Sequence, residues 1–184
     1  MPAACLAPSQ DAKLADCTSG SLLVATIAQW KAPPFSSKAR NFIDAGADII
    51  VMHGSPMIHG VEIYRGRPIL YDLGNFIFNL PPTIVYLEEP IIWESVVAHV
   101  EFHGKDLKSV TFQPIVMNKI GQGQSDTQNP YANNLYLQTR GLPKPATGEQ
   151  ARYILERLAD ASRPFGTNVE IKGETAEIKL KSGN

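Results

Sequence analysis

The residues best suited to chemistry lie in a short stretch that directly follows an apolar run. His53, His59 and Glu62 stand close together there. Neutral imidazole and carboxylate groups are ligands that Zn, Mn or Fe accept. Further oxygen ligands or hydrogen-bond donors follow at Asp72, Asn75 and Asn79. The spacing allows two interpretations: a metal site, or hydrogen-bonded structural histidines at the end of a strand.

Other reactive groups give weaker patterns. Ser55 lies in Gly-Ser-Pro, which is not the G-x-S-x-G turn of a nucleophilic serine. His99, Glu101 and His103 alternate along one predicted strand. We expect them to line a solvated sheet face, with incidental metal affinity as the alternative.

The composition limits the classes of protein that this chain can be. Its 184 residues correspond to one domain, or to one domain and a tail. Lys plus Arg (17) nearly balance Asp plus Glu (18), which argues against a nucleic-acid binder or a polybasic membrane binder. A hydrophobic content of 43% excludes general disorder. Cys5 and Cys17 fit no metal pattern and are interpreted as free thiols.

The sequence shows neither a membrane span nor a secretion signal. No apolar run reaches the roughly 18 residues that a spanning helix needs. The first residues lack a basic segment followed by an apolar one, as a signal peptide would have. The chain is therefore expected to be cytoplasmic by default.

The pattern of the first third predicts an α/β unit that would position the reactive cluster. Residues 1–20 are expected to form a loose N-terminal arm, and residues 21–30 form an apolar run typical of a buried strand. A helix is predicted to run through Ala45 and to end at Gly46, followed by a strand over 47–52. His53 would then stand at the carboxyl end of that strand, where ligands collect in open α/β sheets.

The remainder of the chain predicts hairpins and one helix. Hairpins are predicted over 61–64 and 68–71, over 94–102 and 107–116, and over 169–180. Residues 121–146 carry few charges and are predicted to form a long loop. Thr147 and Gln150 form a capping-box pattern at the start of an amphipathic helix, which Pro164 and Gly166 would end.

Residues 53–79, HGSPMIHGVEIYRGRPILYDLGNFIFN, resemble the late motif block of bacterial capsule synthesis proteins of the CapA (poly-γ-glutamate) type. The preceding DAGADIIV, the hairpin at 94–118 and the helix at 146–167 resemble the segments around that block. The resemblance covers about residues 41–180. It implies that the chain corresponds to the C-terminal half of such a protein.

The resemblance implies an α/β fold that is part of a calcineurin-like metallophosphoesterase sandwich with flanking helices. Such enzymes carry two divalent metals, of which Mn, Zn or Fe are the candidates here, and two-metal centres activate water for hydrolysis. By resemblance, His53 would be a metal ligand and a catalytic residue. His59, which lies three residues after the position of the family's second histidine, is the candidate for a further ligand. Asn75 would lie at the catalytic site. Glu62 and Asp72 would support the ligands.

The sequence also departs from the family pattern. Pro56 stands where the family has its second histidine, and the apolar run at 21–30 lacks the histidine that the family delivers from that strand; Gln29 is the nearest polar group. The early Asp and Asn-His blocks have no counterpart. The expected function is therefore capsule or poly-γ-glutamate biosynthesis through a metal-dependent phosphoesterase-like domain that is incomplete in this chain, which alone would be poorly active. The alternative is a non-catalytic binding or scaffold remnant.

The expected partners follow from the same considerations. An anionic polymer or a phosphoester is the ligand that the resemblance implies, and no nucleic acid is expected. Self-association through exposed strand edges is expected, with residues 21–30 as the first candidate. Family members are often membrane-anchored or exported.

Overall fold

The computed structural model describes residues 5–7, 23–28, 35–77, 89–119, 121 and 138–180. The first of its two sheets has the strand order β1-β2-β3-β5-β4. Strands β1, β2, β3 and β5 are parallel, and β4 joins β5 in an antiparallel hairpin. The strands are β1 (Cys5–Ala7), β2 (Leu23–Ala28), β3 (Ile49–His53), β4 (Val61–Tyr64) and β5 (Arg67–Leu70).

The N-terminal residues differ from their prediction in one place. The sequence predicts a loose arm over 1–20, but Cys5–Ala7 form strand β1 and pair with Leu23–Ala25. Main-chain hydrogen bonds to the edge of β2 explain this pairing, because a strand edge offers unpaired N–H and C=O groups to any extended segment. The predicted strand at 21–30 is confirmed over Leu23–Ala28.

Helix α1 (Phe35–Asp44) links β2 to β3 and covers one face of the first sheet. Its end is confirmed at Gly46, whose φ of +107° suits glycine and closes the helix. Ala39 and Ile43 of the helix pack against Ile50 and Ile69 of the sheet.

The second sheet has the order β6-β7-β10-β9, and β8 pairs with β7. A short 3-10 helix (Pro90–Trp93) precedes it. Its strands are β6 (Glu94–His103), β7 (Asp106–Met117), β8 (Pro143–Pro145), β9 (Val169–Lys172) and β10 (Thr175–Ile178). The hairpins predicted at 94–116 and 169–180 are confirmed.

The predicted loop at 121–146 contains a strand that the sequence did not indicate. Pro143–Pro145 pair with Ile115–Met117. Proline is compatible with an edge strand, because only one side of such a strand must supply N–H groups. Residues 122–137 of the predicted loop lie outside the described residues.

Helix α2 (Gly148–Ser162) begins after Thr147, as predicted, but without the predicted capping box. Thr147 makes no side-chain cap hydrogen bond. Instead the Gly148 N–H donates to Oε1 of Glu174 in the β9–β10 turn (2.6 Å), so a tertiary contact replaces the local one. A 3-10 turn (Arg163–Phe165) then ends at Gly166 in the left-handed conformation.

The two sheets and α2 enclose the main hydrophobic core. Helix α2 contributes its buried stripe, and the two sheets contribute the inward-facing residues of β3 to β7. The largest fully buried side chains of this core are Phe112, Ile154, Leu155 and Leu158. The structure is therefore a mixed α/β sandwich, which confirms the predicted fold class. Within the described ranges, no helix has the length and apolar character needed to cross a membrane.

Candidate functional site

The candidate site lies where the parallel strands β3 and β5 end side by side. Val51 of β3 is in register with Leu70 of β5. His53 is the last residue of β3, and Asp72 follows β5 by two residues. The parallel pairing therefore delivers two predicted site residues to one edge of the sheet.

Asp72 organises the loops at this edge. It is 3% exposed, and its carboxylate accepts hydrogen bonds from the backbone N–H groups of Ser55 (2.9 Å) and Gly74 (3.0 Å). Its own backbone carbonyl accepts a hydrogen bond from the His59 N–H (2.9 Å). Asp72 thus fastens the loop that carries both histidines to the segment after β5.

The buried position of Asp72 alters its ionisation. Burial raises the pKa of Asp72, and hydrogen bonds from the two backbone amides together with electrostatic interactions with His59 and His53 partly oppose that rise. Both histidine side chains are exposed, so a ligand in solution can reach them.

These donors do not amount to a complete metal centre. Among the residues that the structure describes, no group of three or more His, Cys, Asp or Glu side chains is arranged to hold a metal ion. Both oxygens of Asp72 already accept backbone hydrogen bonds, and Pro56 supplies no side-chain ligand. His53 and His59 could hold a divalent ion only weakly, because two ligands on a loop leave most of its coordination positions empty.

Asn75 connects the site loop to the 3-10 helix that precedes the second sheet. Its side-chain amide donates to the backbone carbonyls of Ile92 (3.1 Å) and Pro56 (3.5 Å). Gly74 beside it has φ of +84°, and an added Cβ would lie 2.9 Å from the Glu94 carbonyl oxygen. The Leu-Gly-Asn sequence therefore fits a tight crossing between the two layers. Asn79 and Gln29, also predicted near the site, lie outside the described residues.

Glu62 lies in a different environment from the two histidines. Its neighbour Val61 faces the core between the sheets, and Glu62 faces α1. Its carboxylate accepts hydrogen bonds from Arg40 of α1 (Nε to Oε1, 2.9 Å) and from the Tyr71 hydroxyl (2.6 Å). Burial and the hydrogen bond to Glu62 raise the pKa of Tyr71. The support predicted for Glu62 toward the ligands stays a prediction.

Ala161 and Ser162, at the end of α2, also hold the loop that carries His59, and the sequence did not single them out. An added Cβ at Gly60 would lie 2.1 Å from the Ala161 carbonyl oxygen, so the loop passes directly against the end of α2. The next N–H group, of Val61, donates to the buried Ser162 hydroxyl (3.0 Å). About a hundred residues separate these partners, and no local pattern could have indicated the contact.

Comparison with known proteins places this region in a family. Residues 28–80 match the family model described as bacterial capsule synthesis protein PGA_cap. The PGA biosynthesis protein CapA of Bacillus subtilis is 51% identical over 41 residues, which cover 22% of this chain and 11% of that protein. The capsule biosynthesis protein CapA of Bacillus anthracis is 40% identical over 47 residues, covering 26% of this chain and 11% of that protein.

A longer match relates the chain to a protein of Sinorhizobium fredii, the uncharacterised protein y4sH. The two are 32% identical over 179 residues, which cover 77% of this chain and 36% of y4sH. The chain thus spans about a third of the length of that relative. The family model and the two Bacillus matches confirm the resemblance drawn from residues 53–79: over residues 28–80, the chain is similar to the bacterial capsule synthesis proteins of CapA type.

Proposed function

We propose that this chain serves capsule or poly-γ-glutamate biosynthesis, and that its sheet-edge site is an incomplete metallophosphoesterase-like hydrolase centre. The observation that carries the proposal is the position of the buried Asp72 at the carboxyl ends of β3 and β5, where it binds the backbone of the segment that carries His53 and His59 through the N–H groups of Ser55 and His59. This edge lies within the matched region. The similarity to the capsule proteins named above supports a role in capsule biosynthesis. The hydrolase chemistry is the part of the proposal that goes beyond this similarity.

A divalent metal (Mn, Zn or Fe) would be the hydrolytic cofactor of a complete centre, where it would activate water. In this chain His53 and His59 would hold it, and the described donors fall short of what a two-metal centre needs. We therefore route no chemical step through a metal in this chain, and we expect at most weak hydrolytic activity from it. Its own residues hold the loop: Asp72 fixes the backbone between Ser55 and Gly74 and keeps both imidazoles near one edge.

The ligand class that suits the site is a phosphoester or an anionic polymer. Two exposed imidazoles can donate hydrogen bonds to anionic oxygens, and they do so with a positive charge when protonated. Gly54, with φ of +130°, lets the backbone come close to such a group, because it has no side chain in the way.

A second candidate function is non-catalytic binding or scaffolding by a remnant of the same fold. The observation that favours it is Pro56, which occupies the place of the second family histidine and carries no ligand atom. In that case the sheet edge would keep its shape and its anion-binding groups without supporting turnover.

A phosphoesterase assay separates the two functions. The chain would be incubated with an aryl phosphate and added Mn, Zn or Fe, beside His53→Ala and a matched control, His99→Ala, on the solvated face of β6. We expect turnover below about 1 per second, the low end of ordinary enzyme rates, that disappears in His53→Ala and persists in His99→Ala. Equal rates for the chain and His53→Ala would favour the scaffold. Metal-dependent turnover at or above that rate would show that the centre is complete.

A further inference from the structure

Strand β6 (Glu94–His103) is a ten-residue edge strand of the second sheet. Natural proteins usually protect such edges with lysine, proline, a bulge or very short strands. This strand contains neither lysine nor proline. The pairing of β6 with β7 has one irregularity, in which Lys108 of β7 has no partner in β6. Every residue of β6 is paired. The edge of β6 is therefore regular along its length.

The outward-facing hydrogen-bond groups of β6 can be assigned from its contacts. The Val96 N–H points away from β7 and donates to the Leu73 carbonyl (3.0 Å). Its partner in β7 is Pro114, which has no N–H to give. Because the direction alternates along a strand, the N–H and C=O groups of Ala98, Val100 and Phe102 also point outward. No contact within the described part of the chain satisfies these outward groups.

Two strands of the first sheet, β4 and β2, are better protected than β6. On the free edge of β4, the Val61 N–H donates to the Ser162 hydroxyl (3.0 Å) and the Ile63 N–H donates to the Thr167 hydroxyl (3.3 Å). The sequence makes strand β2 the first candidate for self-association, but this strand has β1 on one side and β3 on the other. The expectation of self-association therefore moves from β2 to β6.

We infer that two copies of this chain associate by antiparallel pairing of their β6 strands, with the two-fold axis at Val100. In this register Val100 faces its own counterpart and Ala98 faces Phe102 of the second copy. These pairs exchange main-chain hydrogen bonds through the outward groups. On the exposed face, His99 stands opposite Glu101 of the second copy, and the symmetry repeats that contact. Because an imidazole N–H can donate a hydrogen bond to a carboxylate, the strand is complementary to itself.

The histidine–glutamate pairs select this register over its neighbours. Moving the axis by one residue, to His99 or to Glu101, keeps the hydrogen-bond pattern but sets His opposite His or Glu opposite Glu. Two facing carboxylates repel each other, and two facing histidines lose the carboxylate that would accept their hydrogen bonds. Only the axis at Val100, among these three, places both histidine–glutamate pairs together. Both copies would then carry their first sheets on the same side of one continuous second sheet, because the axis is perpendicular to it.

Sedimentation equilibrium over about 1 to 100 µM tests the pairing. The native chain should dimerise. His99→Glu should weaken the dimer about tenfold, because it sets Glu opposite Glu in both symmetric contacts. The swap His99→Glu with Glu101→His should restore the native affinity. His103→Glu, which would face Val97 of the second copy, is the matched control and should leave the affinity within about twofold. Circular dichroism would confirm that each variant is folded.

Hydrogen exchange gives an independent measurement, in which the amides of Ala98, Val100 and Phe102 should gain protection on dimerisation. A folded chain that stays monomeric over the whole range would overturn the inference. So would equal weakening by His99→Glu and His103→Glu, or a swap variant that stays weak, because either result would remove the specific register. Exchange of these three amides that does not depend on protein concentration would also overturn it.

Discussion

Glu62 and Asp72 are two acids of the same segment, each 3% exposed, that the structure satisfies in opposite ways. Glu62 is held by side chains: Arg40 from α1 and the hydroxyl of Tyr71. Asp72 is held by the backbone N–H groups of Ser55 and Gly74, with His53 and His59 near it. The guanidinium of Arg40 thus balances one carboxylate, and backbone amides next to two solvent-exposed histidines hold the other.

The difference shows how to separate a structural carboxylate from a functional one. Burial alone does not separate the two, because it is equal. The bonds of Glu62 join α1 to the sheet. The bonds of Asp72 fix two loops at the carboxyl ends of the strands, where ligands bind in α/β sheets, and leave the neighbouring imidazoles open. We therefore expect Glu62 to matter for stability and the Asp72 region for binding.

The largest effect is expected for Glu62→Ala. It removes the acceptor of the buried Tyr71 hydroxyl and the counter-ion of Arg40, and it leaves a cavity. We expect a loss of about 2–4 kcal/mol in the free energy of unfolding. This loss is smaller than the largest cost of breaking a fully buried ion pair, because the guanidinium of Arg40 can reach water. Urea denaturation measures this loss. Glu156→Ala, which breaks only the exposed pair with Arg152, should cost less than about 0.5 kcal/mol. Similar losses for both variants would contradict the structural role of Glu62.

A smaller effect is expected for Asp72→Asn. The variant keeps the shape of the side chain, but its amide nitrogen must face one of two backbone donors. One of the N–H groups of Ser55 and Gly74 would then lose its acceptor, at a cost of about 1–3 kcal/mol. Urea denaturation at neutral pH measures the cost, with the exposed Asp106→Asn as the control. Unchanged stability would show that these two hydrogen bonds do not hold the loop.

The cost of Asp72→Asn should also depend on pH. Burial raises the pKa of Asp72, so the folded state binds a proton more tightly than the unfolded state. The resulting stabilisation is complete below the ordinary pKa of an aspartate and disappears as pH rises through the raised pKa of the folded state. The stability difference between the native chain and Asp72→Asn should therefore shrink from about pH 4 to pH 7. A difference that grows over that range would mean that the pKa of Asp72 is lowered.

The smallest effect on stability is expected for His53→Ala. The side chain is exposed at the end of β3, and removing it should change the free energy of unfolding by less than about 0.5 kcal/mol. Thermal or urea unfolding of this variant beside His103→Ala, an exposed histidine in β6, provides the measurement. A loss above about 2 kcal/mol would make His53 a structural residue and would remove the contrast between the two regions.

The sequence predicted the elements that depend on local periodicity. Helix α1, the end at Gly46, the strand before His53 and the β6–β7 hairpin needed only apolar spacing and turn residues. The carboxyl-end position of His53 followed from the same reasoning. What escaped prediction depends on contacts distant in sequence, namely the pairing of Cys5–Ala7 with β2 and the cap of Gly148 by Glu174. The binding of Glu62 to Arg40 also required α1 to be placed on the sheet first.

We propose His53 as the principal ligand-binding group of an incomplete hydrolase site, and a calorimetric titration with Zn or Mn tests this role of the residue. We expect one weak site, with a Kd of about 1 µM or weaker, that His53→Ala abolishes, His59→Ala weakens and the control His99→Ala leaves unchanged. Pro56→His, which restores the spacing of the family, should tighten it. Binding that His53→Ala leaves unchanged would contradict the claim.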